Sequence, residues 1–352
     1  MKKLIKKLIH ESKHYYNYNL LLAAWKKRHK LVAHEIGGLL TSPKVMLHNK
    51  KWQVFNKKFS SDTLNACYSI SGIDHIDYVP EEIFEGVIEQ KLNVNAPDFL
   101  QHKSFYNRIF PNAGFIDDYF HKIGGIFFDH QHVKIDDKEL DRIINALDYP
   151  VIIKKSIDTA GGRDVHFVNS KEELKATLNK YNDAVIQPIL KPHPYFKKFH
   201  DFGLNTIRVC LYRSVKTGEV HILNTTLRMG RDGHLDNETQ GGLVCNLQEG
   251  GQLNKFVVDK YGHKLFEHPN SKIVFATCDK IPAYDELKKT AIAVTETIPY
   301  ARIVSLDIAM NEAGEWKLIE VNLEYQTIRF AQYAGHPFFG EFTDEVIDFC
   351  TH

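Results

Sequence analysis

The chain has no paired cysteines. Cys67, Cys210, Cys245, Cys278 and Cys350 are scattered singly, which excludes a zinc site of the Cys-x-x-Cys kind and a disulfide framework. It fits a reducing compartment, so the expected location is cytoplasmic. No run of 18 apolar residues occurs, so no segment is expected to span a membrane. The formal net charge is only +1, which removes any global electrostatic case for a nucleic-acid partner. Two phosphate-binding signatures are also missing. There is no GxxxxGK[ST] loop and no GxGxxG following a strand, so the chain is neither a P-loop nor a Rossmann protein.

What remains is an ordinary globular composition, 43% apolar and 25% charged over 352 residues, enough for two or three domains. The opening "MKKLIKKLIH" lacks the apolar core and cleavage site of a signal peptide. It groups Leu4, Ile5, Leu8 and Ile9 on one helical face, with Lys2, Lys3, Lys6 and Lys7 on the other. A second basic cluster, "KKRHK", occupies 26–30. Such a face suits weak contact with an anionic membrane surface, a location peripheral to the inner membrane face. The favoured alternative is a helix docked on its own protein with a solvated basic side.

Residues 1–95 read as mostly helical and carry no catalytic motif. Beyond them short strands alternate with capped helices. "DDKELDRIINAL" (136–147) places Leu140, Ile143, Ile144 and Leu147 at helical spacing behind an aspartate cap, and "SKEELKATLNKY" (170–181) opens on a capping box of Ser170 and Glu173. "PVIIKKS", "DVHFV" and "DAVIQPIL" read as strands. "LNTIRVCLY" and "EVHILNTTLR" form an antiparallel pair about Thr217-Gly218. A helix at 284–298 carries Leu287, Ala291, Val294 and Ile298 on one stripe, and a last helix points Phe342, Val346 and Phe349 inward. Strands and helices without regular βαβ alternation imply an α+β class built around antiparallel sheets.

The most telling stretch is "RIVSLDIAMNEAGEWKLIEVN", residues 302–322. Two alternating strands joined at Ala313-Gly314 place Asp307 across from Glu320, with Asn322 on the same face as Glu320. Two carboxylates and an amide oxygen make a hard, all-oxygen cluster of the kind that holds Mg²⁺ while leaving room for substrate phosphates. The alternative is a solvated face with scattered acids, and one bulge would send Asp307 to the opposite side.

Further upstream, Lys154 lies at the end of a strand, followed by Gly161-Gly162-Arg163, where glycines let backbone N–H groups approach phosphate oxygens. Lys103 lies on an expected helix in "FLQHKSFYNRIF". Gln187-Pro188-Ile189 closes a strand, where proline interrupts the ladder and backbone groups are left for a flat heterocycle. Arg208 shares a strand face with Thr206, Cys210 and Tyr212, and Arg228 closes the next strand. An arginine there suits a phosphoryl group or a carboxylate. A surface ion pair is the alternative for either.

Taken in order, these features resemble the ATP-grasp superfamily, and within it the sugar-transfer-associated branch, from about Lys103 to the C-terminus. "LNTIRV", "LRMGRDGHLDNETQGGL" and "DIAMNEAGEWKLIEVN" carry the resemblance. It implies an ATP-grasp fold of two α+β subdomains, nucleotide-binding over 96–190 and catalytic over 191–352, behind a helical region at 1–95. It implies ATP and one or two Mg²⁺ ions as cofactors. Lys103 and Lys154 would contact phosphates under a loop at 158–163 that includes Gly161, Gly162 and Arg163. Gln187, Pro188 and Ile189 would hold adenine, and Asp307, Glu320 and Asn322 the metal. Arg208 and Arg228 would be catalytic, and Asp236, Asn237, Gly241 and Gly242 would lie near the acceptor. Three departures stand out: Gln187 where the hinge is often acidic, Lys155 in place of a common proline, and Asp164 in place of a glycine. The implied activity is an ATP-dependent carboxylate–amine ligase working through an acyl phosphate. Its partners would be a small or sugar-linked carboxylate and an amine or amino acid, in polysaccharide biosynthesis. The alternatives are a kinase acting on a sugar hydroxyl and a nucleotide-binding protein without turnover.

Overall fold

The structure is a computed structural model that describes residues 2–96, 98–157, 165–201, 203–234, 236 and 240–352, and the side chains of these apart from residues 2–16 and 98. Two antiparallel sheets organise it, so the fold class is the α+β expected from the sequence. The smaller sheet comprises β1 (Phe120–Ile123), β2 (Ile126–Asp129), β3 (Val151–Lys155), β4 (Val165–Val168) and β5 (Ala184–Pro188), in the order β2-β1-β5-β3-β4. The larger holds β6 (Ile207–Arg213), β7 (Val220–Met229), β8 (Leu243–Asn246), β9 (Val257–Val258), β10 (Lys264–Leu265), β11 (Ile303–Met310) and β12 (Trp316–Asn322). Their order is β10-β9-β8-β7-β6-β11-β12.

Alternation decides which face of each sheet is dry. In the smaller sheet Phe120, Val151, Ile153, Val168 and Ile186 point to one side, where helices Asp137–Ala146 and Lys171–Leu178 bring Ile144, Leu174 and Leu178. Both helices start as the sequence foretold. Asp136 Oδ1 accepts from Glu139 N–H at 2.8 Å and Ser170 Oγ from Glu173 N–H at 3.2 Å, each such cap being worth about 1 kcal/mol. The opposite face presents one row across three strands: His121 pairs with Val185, and Val185 with Lys154.

The larger sheet is covered on both faces. Leu287, Ala291 and Val294 of helix Tyr284–Glu296 pack on Val209, Leu227, Leu306 and Ile308. On the reverse, Cys210, Tyr212 and Ile303 lie against Tyr18, Trp52, Ile83 and Phe84 from the N-terminal helices and Phe338, Phe339 and Val346 from the last ones. The two ends of the chain therefore share one core. Asn93 ties the N-terminal region to the β11–β12 hairpin, its Nδ2 donating to the carbonyls of Ile303 and Leu323, both at 2.7 Å. The last helix differs from expectation. Val346 and Cys350 face the core, whereas Phe349 is 39% exposed and lies under the Arg302 guanidinium at 5.4 Å. A cation over an aromatic face compensates part of that exposure.

Strand β12 is an edge, and edges need cover. Leu318 N–H donates to the Gly114 carbonyl at 2.9 Å and Val321 N–H to the Tyr106 hydroxyl at 3.2 Å. Gly114, at φ +86, brings its backbone so close that a Cβ would lie 3.4 Å from the Trp316 carbonyl oxygen. A side chain there would meet that oxygen at ordinary contact distance, so it is the positive φ that calls for glycine.

Candidate functional site

The hairpin β11–β12 sets the register of the site. Near the turn Met310 pairs with Trp316 and Ile308 with Leu318, a register that continued without interruption would put Ile319 opposite Asp307. Instead the register slips by one residue between Asp307 and Ile308, so that Asp307 pairs with Glu320 and Ser305 with Asn322. The pairing expected from the sequence is present, and a bulge produces it. Pairing then continues across the sheet: Asp307 faces Arg208, Arg208 faces Thr226, and Thr226 faces Asn246. Directly opposed residues share a face, so Glu320, Asp307, Arg208, Thr226 and Asn246 form one transverse polar row.

Charge in this row is balanced tightly. Arg208 Nε donates to Asp307 Oδ1 at 2.7 Å and its Nη2 to Oδ2 at 2.8 Å, while Arg228 Nη1 reaches Oδ2 at 3.0 Å. Asp307 is 5% exposed. Burial alone would push its carboxyl up, but the two guanidiniums outweigh burial and hold it at about 2. Arg228 is itself buried, and its Nε has no hydrogen-bond partner among the described residues. An orphaned guanidinium donor inside a protein calls for an oxyanion.

Lys103 and Lys154 approach the row from the other sheet. Lys103 begins a short 3₁₀ turn, Lys103–Phe105, rather than lying within the expected helix. Its ammonium donates to Glu320 Oε1 at 2.6 Å. Lys154 is 8% exposed; burial lowers it to about 8, the neighbouring Lys103 adds to that, and Glu320 and Asp118 oppose it in part. No hydrogen bond to the Lys154 ammonium occurs among the described residues, which leaves a buried cation suited to a polyanion.

At the hinge, Gln187 Nε2 donates to Asp118 Oδ1 at 2.8 Å, and Gln187 Oε1 is buried without a hydrogen-bond partner among the described residues. Pro188 closes β5 and Ile189 follows it. Asp118 was not singled out from the sequence. It also accepts from Asn107 Nδ2 at 2.9 Å, and burial raises its carboxyl. An acidic pair in "GFIDDY" carries no signal by itself; its partners come from 11 and 69 residues away. Beside it a cavity of about 540 Å³ is lined by Asn107, Gly114, Asp117, Asp118, His130 and Lys317.

In the expected acceptor loop Asp236 Oδ2 accepts from the backbone N–H and hydroxyl of Thr206. Gly241 stands at φ +106, its carbonyl accepting from Arg231 Nε at 2.7 Å, and Gly242 leads into β8. Gly161, Gly162, Arg163 and Asn237 lie outside the described residues.

The donor set is of the chemical kind that holds a magnesium ion, with both Asp307 oxygens here accepting from Arg208 and Arg228 and Glu320 Oε1 from Lys103. Asp307, Glu320 and Asn322 offer hard oxygens on one face, and Mg²⁺ needs few protein ligands when phosphates complete its shell. Among the described residues no cluster of three or more His, Cys, Asp or Glu side chains forms a metal site, as expected for a set with only two carboxylates.

Residues 171–341 match the family described as sugar-transfer associated ATP-grasp. The resemblance drawn from the motifs is thereby borne out. Solved structures similar to the chain include N5-carboxyaminoimidazole synthetase of Staphylococcus aureus in complex with ADP. It is 11% identical, with a TM-score of 0.43 over 71% of this chain and 57% of that one. Biotin carboxylase of Campylobacter jejuni is 14% identical, with a TM-score of 0.44 over 73% of this chain and 47% of that one. The biotin carboxylase domain of Hydrogenobacter thermophilus 2-oxoglutarate carboxylase, with MgADP, is 14% identical, with a TM-score of 0.40 over 67% and 44%. This chain thus spans about half the length of each. No curated protein matches it.

Proposed function

We propose that the chain is an ATP- and Mg²⁺-dependent ligase that joins a carboxylate to an amine through an acyl phosphate, acting on a sugar-linked or polysaccharide precursor. The observation that carries this reading is the meeting of two lysines, two arginines and two carboxylates between the sheets, with Arg228 Nε left without a hydrogen-bond partner among the described residues. Magnesium would supply charge neutralisation of the phosphates, held by Asp307, Glu320 and Asn322. Lys103 and Lys154 orient the triphosphate, and the described part of the hinge, Gln187 to Ile189, holds the base. Arg208 and Arg228 place their guanidinium charge beside the transferring phosphoryl group, where preorganised donors act most strongly.

The balance of the reaction is simple. The carboxylate oxygen attacks the γ-phosphorus and ADP leaves; the amine then attacks the acyl carbon, phosphate leaves, and the amine gives up a proton. Asp236, Gly241 and Gly242, with Asn237, sit in the loop assigned to the acceptor. The family description supports the sugar-linked substrate class.

An acceptor screen reading phosphate release tests the reading. Release that requires both a carboxylate and an amine is expected. A phosphorylated sugar formed with no amine present would replace the ligase with a kinase, and tight ATP binding with no consumption under any acceptor would replace it with a non-catalytic binder.

A further inference from the structure

We propose that His132 is a positioning residue for the nucleotide, acting through Lys103. The proposal rests on the nucleotide reading above. Lys103 sits on a turn of three residues, Lys103–Phe105, too short to hold its own geometry. Glu320 holds the ammonium, but something outside the turn must fix the backbone that carries it, and a column of three rings does so.

At the base of the column is His121, fully buried on β1 in the same sheet row as Lys154. The His132 ring lies over it, with centroids 4.4 Å apart and 20° between planes. Phe105 lies over His132 at 5.0 Å and 20°. His132 Nε2–H donates to the Ser104 carbonyl oxygen at 2.7 Å. From the other side, Ser104 N–H donates to Ser156 Oγ at 2.8 Å and Lys103 N–H to the Ser156 carbonyl at 3.0 Å. Ser156 follows Lys154 by two residues, so the two lysines are mounted on one connected unit.

His132 is held as firmly as it holds. It stands at φ +63, a conformation unusual for a side-chain-bearing residue. Asp129 Oδ1 fixes the loop by accepting from Gln131 N–H at 2.9 Å and Val133 N–H at 2.8 Å. Backbone strain that the surroundings over-determine is typical of residues whose placement serves a site. Neither ring nitrogen of His121 has a hydrogen-bond partner among the described residues, Asp118 Oδ2 standing off at 3.9 Å, and burial holds the ring well below the usual histidine range, so it is a flat, uncharged platform for His132. Histidine at 132 combines two things no other side chain offers together: a small flat ring for the stack and an N–H for the buried Ser104 carbonyl.

Calorimetric titration of the full chain with MgADP tests this in a double-mutant cycle of Lys103→Ala and His132→Ala. Losing Lys103 should weaken MgADP about tenfold, and losing His132 by a similar factor, the scale of a single charge-assisted bond. The double variant should bind no more weakly than Lys103→Ala alone, because His132 acts only through that lysine. His132→Phe keeps the stack and loses the donor to the buried Ser104 carbonyl, so it should fold, melting somewhat below the wild type, yet bind MgADP about threefold or more weakly. Wild-type affinity in folded His132→Phe, or losses that multiply in the double variant, would overturn the proposal. Wild-type affinity in Lys103→Ala would instead overturn the nucleotide reading itself.

Discussion

Replacing Lys154 with methionine should make the protein more stable while destroying its nucleotide site. The ammonium of Lys154 is buried beside a second lysine, and holding it charged there lowers it from the usual 10.5 to about 8. That displacement corresponds to about 3 kcal/mol of unfavourable free energy at neutral pH, at 1.36 kcal/mol per pH unit. Methionine has a similar volume and no charge, so the relief should be reduced only by a packing misfit of about 1 kcal/mol. A net gain of about 2 kcal/mol remains, an increase in melting temperature of several degrees at about 2–4 °C per kcal/mol. The sign with pH is specific. The penalty is present in full below pH 8 and disappears as the unfolded-state lysine also loses its proton towards 10.5, so wild type and variant should converge across that window. The assay is thermal melting of both proteins from pH 7 to 10.5, with and without MgADP. Wild type should gain about 2.7 kcal/mol at a hundredfold excess over its Kd, and the variant almost nothing. A variant that melts below wild type at pH 7, or keeps the MgADP shift, refutes the reasoning.

Three further outcomes follow from the same charges. Asp307→Asn should cost about 3–5 kcal/mol, because it leaves Arg208 and Arg228 facing one another in a buried site. Wild type holds this carboxyl at about 2 against its usual 3.8, so the variant's deficit in urea or thermal melts should narrow as pH falls from about 4 towards 2. Glu320→Gln frees Lys103 from its 2.6 Å ion pair, so metal-free ADP should bind about tenfold more tightly while the gain from added Mg²⁺ shrinks, measured by titration in EDTA and in magnesium; an undiminished magnesium effect contradicts the metal role. Removing residues 1–10 should leave co-sedimentation with anionic liposomes unchanged if the basic helix docks on its own protein, whereas loss of binding would establish the membrane contact, at about 1 kcal/mol per lysine.

Much of the fold was legible because its signals are local. The capped helices begin at Asp136 and Ser170 as their spacing required, and no helix among the described residues is long and apolar enough to cross a membrane. The pairing of Asp307 with Glu320 was legible too, though for an incomplete reason. A turn centred between Ala313 and Gly314 gives that pair, but the chain turns half a residue earlier and recovers it through the bulge at Ile319. Phe349 was misplaced because a helical stripe says which residues align, and not how far round the neighbouring core extends.

Local pattern alone determined the α+β class, the caps and the carboxylate–amide hairpin, since each depends on contacts within a few residues or across one turn. Tertiary structure decided which charges meet. Lys103 reaches Glu320 across 217 residues and Arg208 reaches Asp307 across 99, and no periodicity records such distances. The ring column under Lys103 was equally invisible in the sequence. His121, His132 and Phe105 belong to three separate segments, and only folding stacks them.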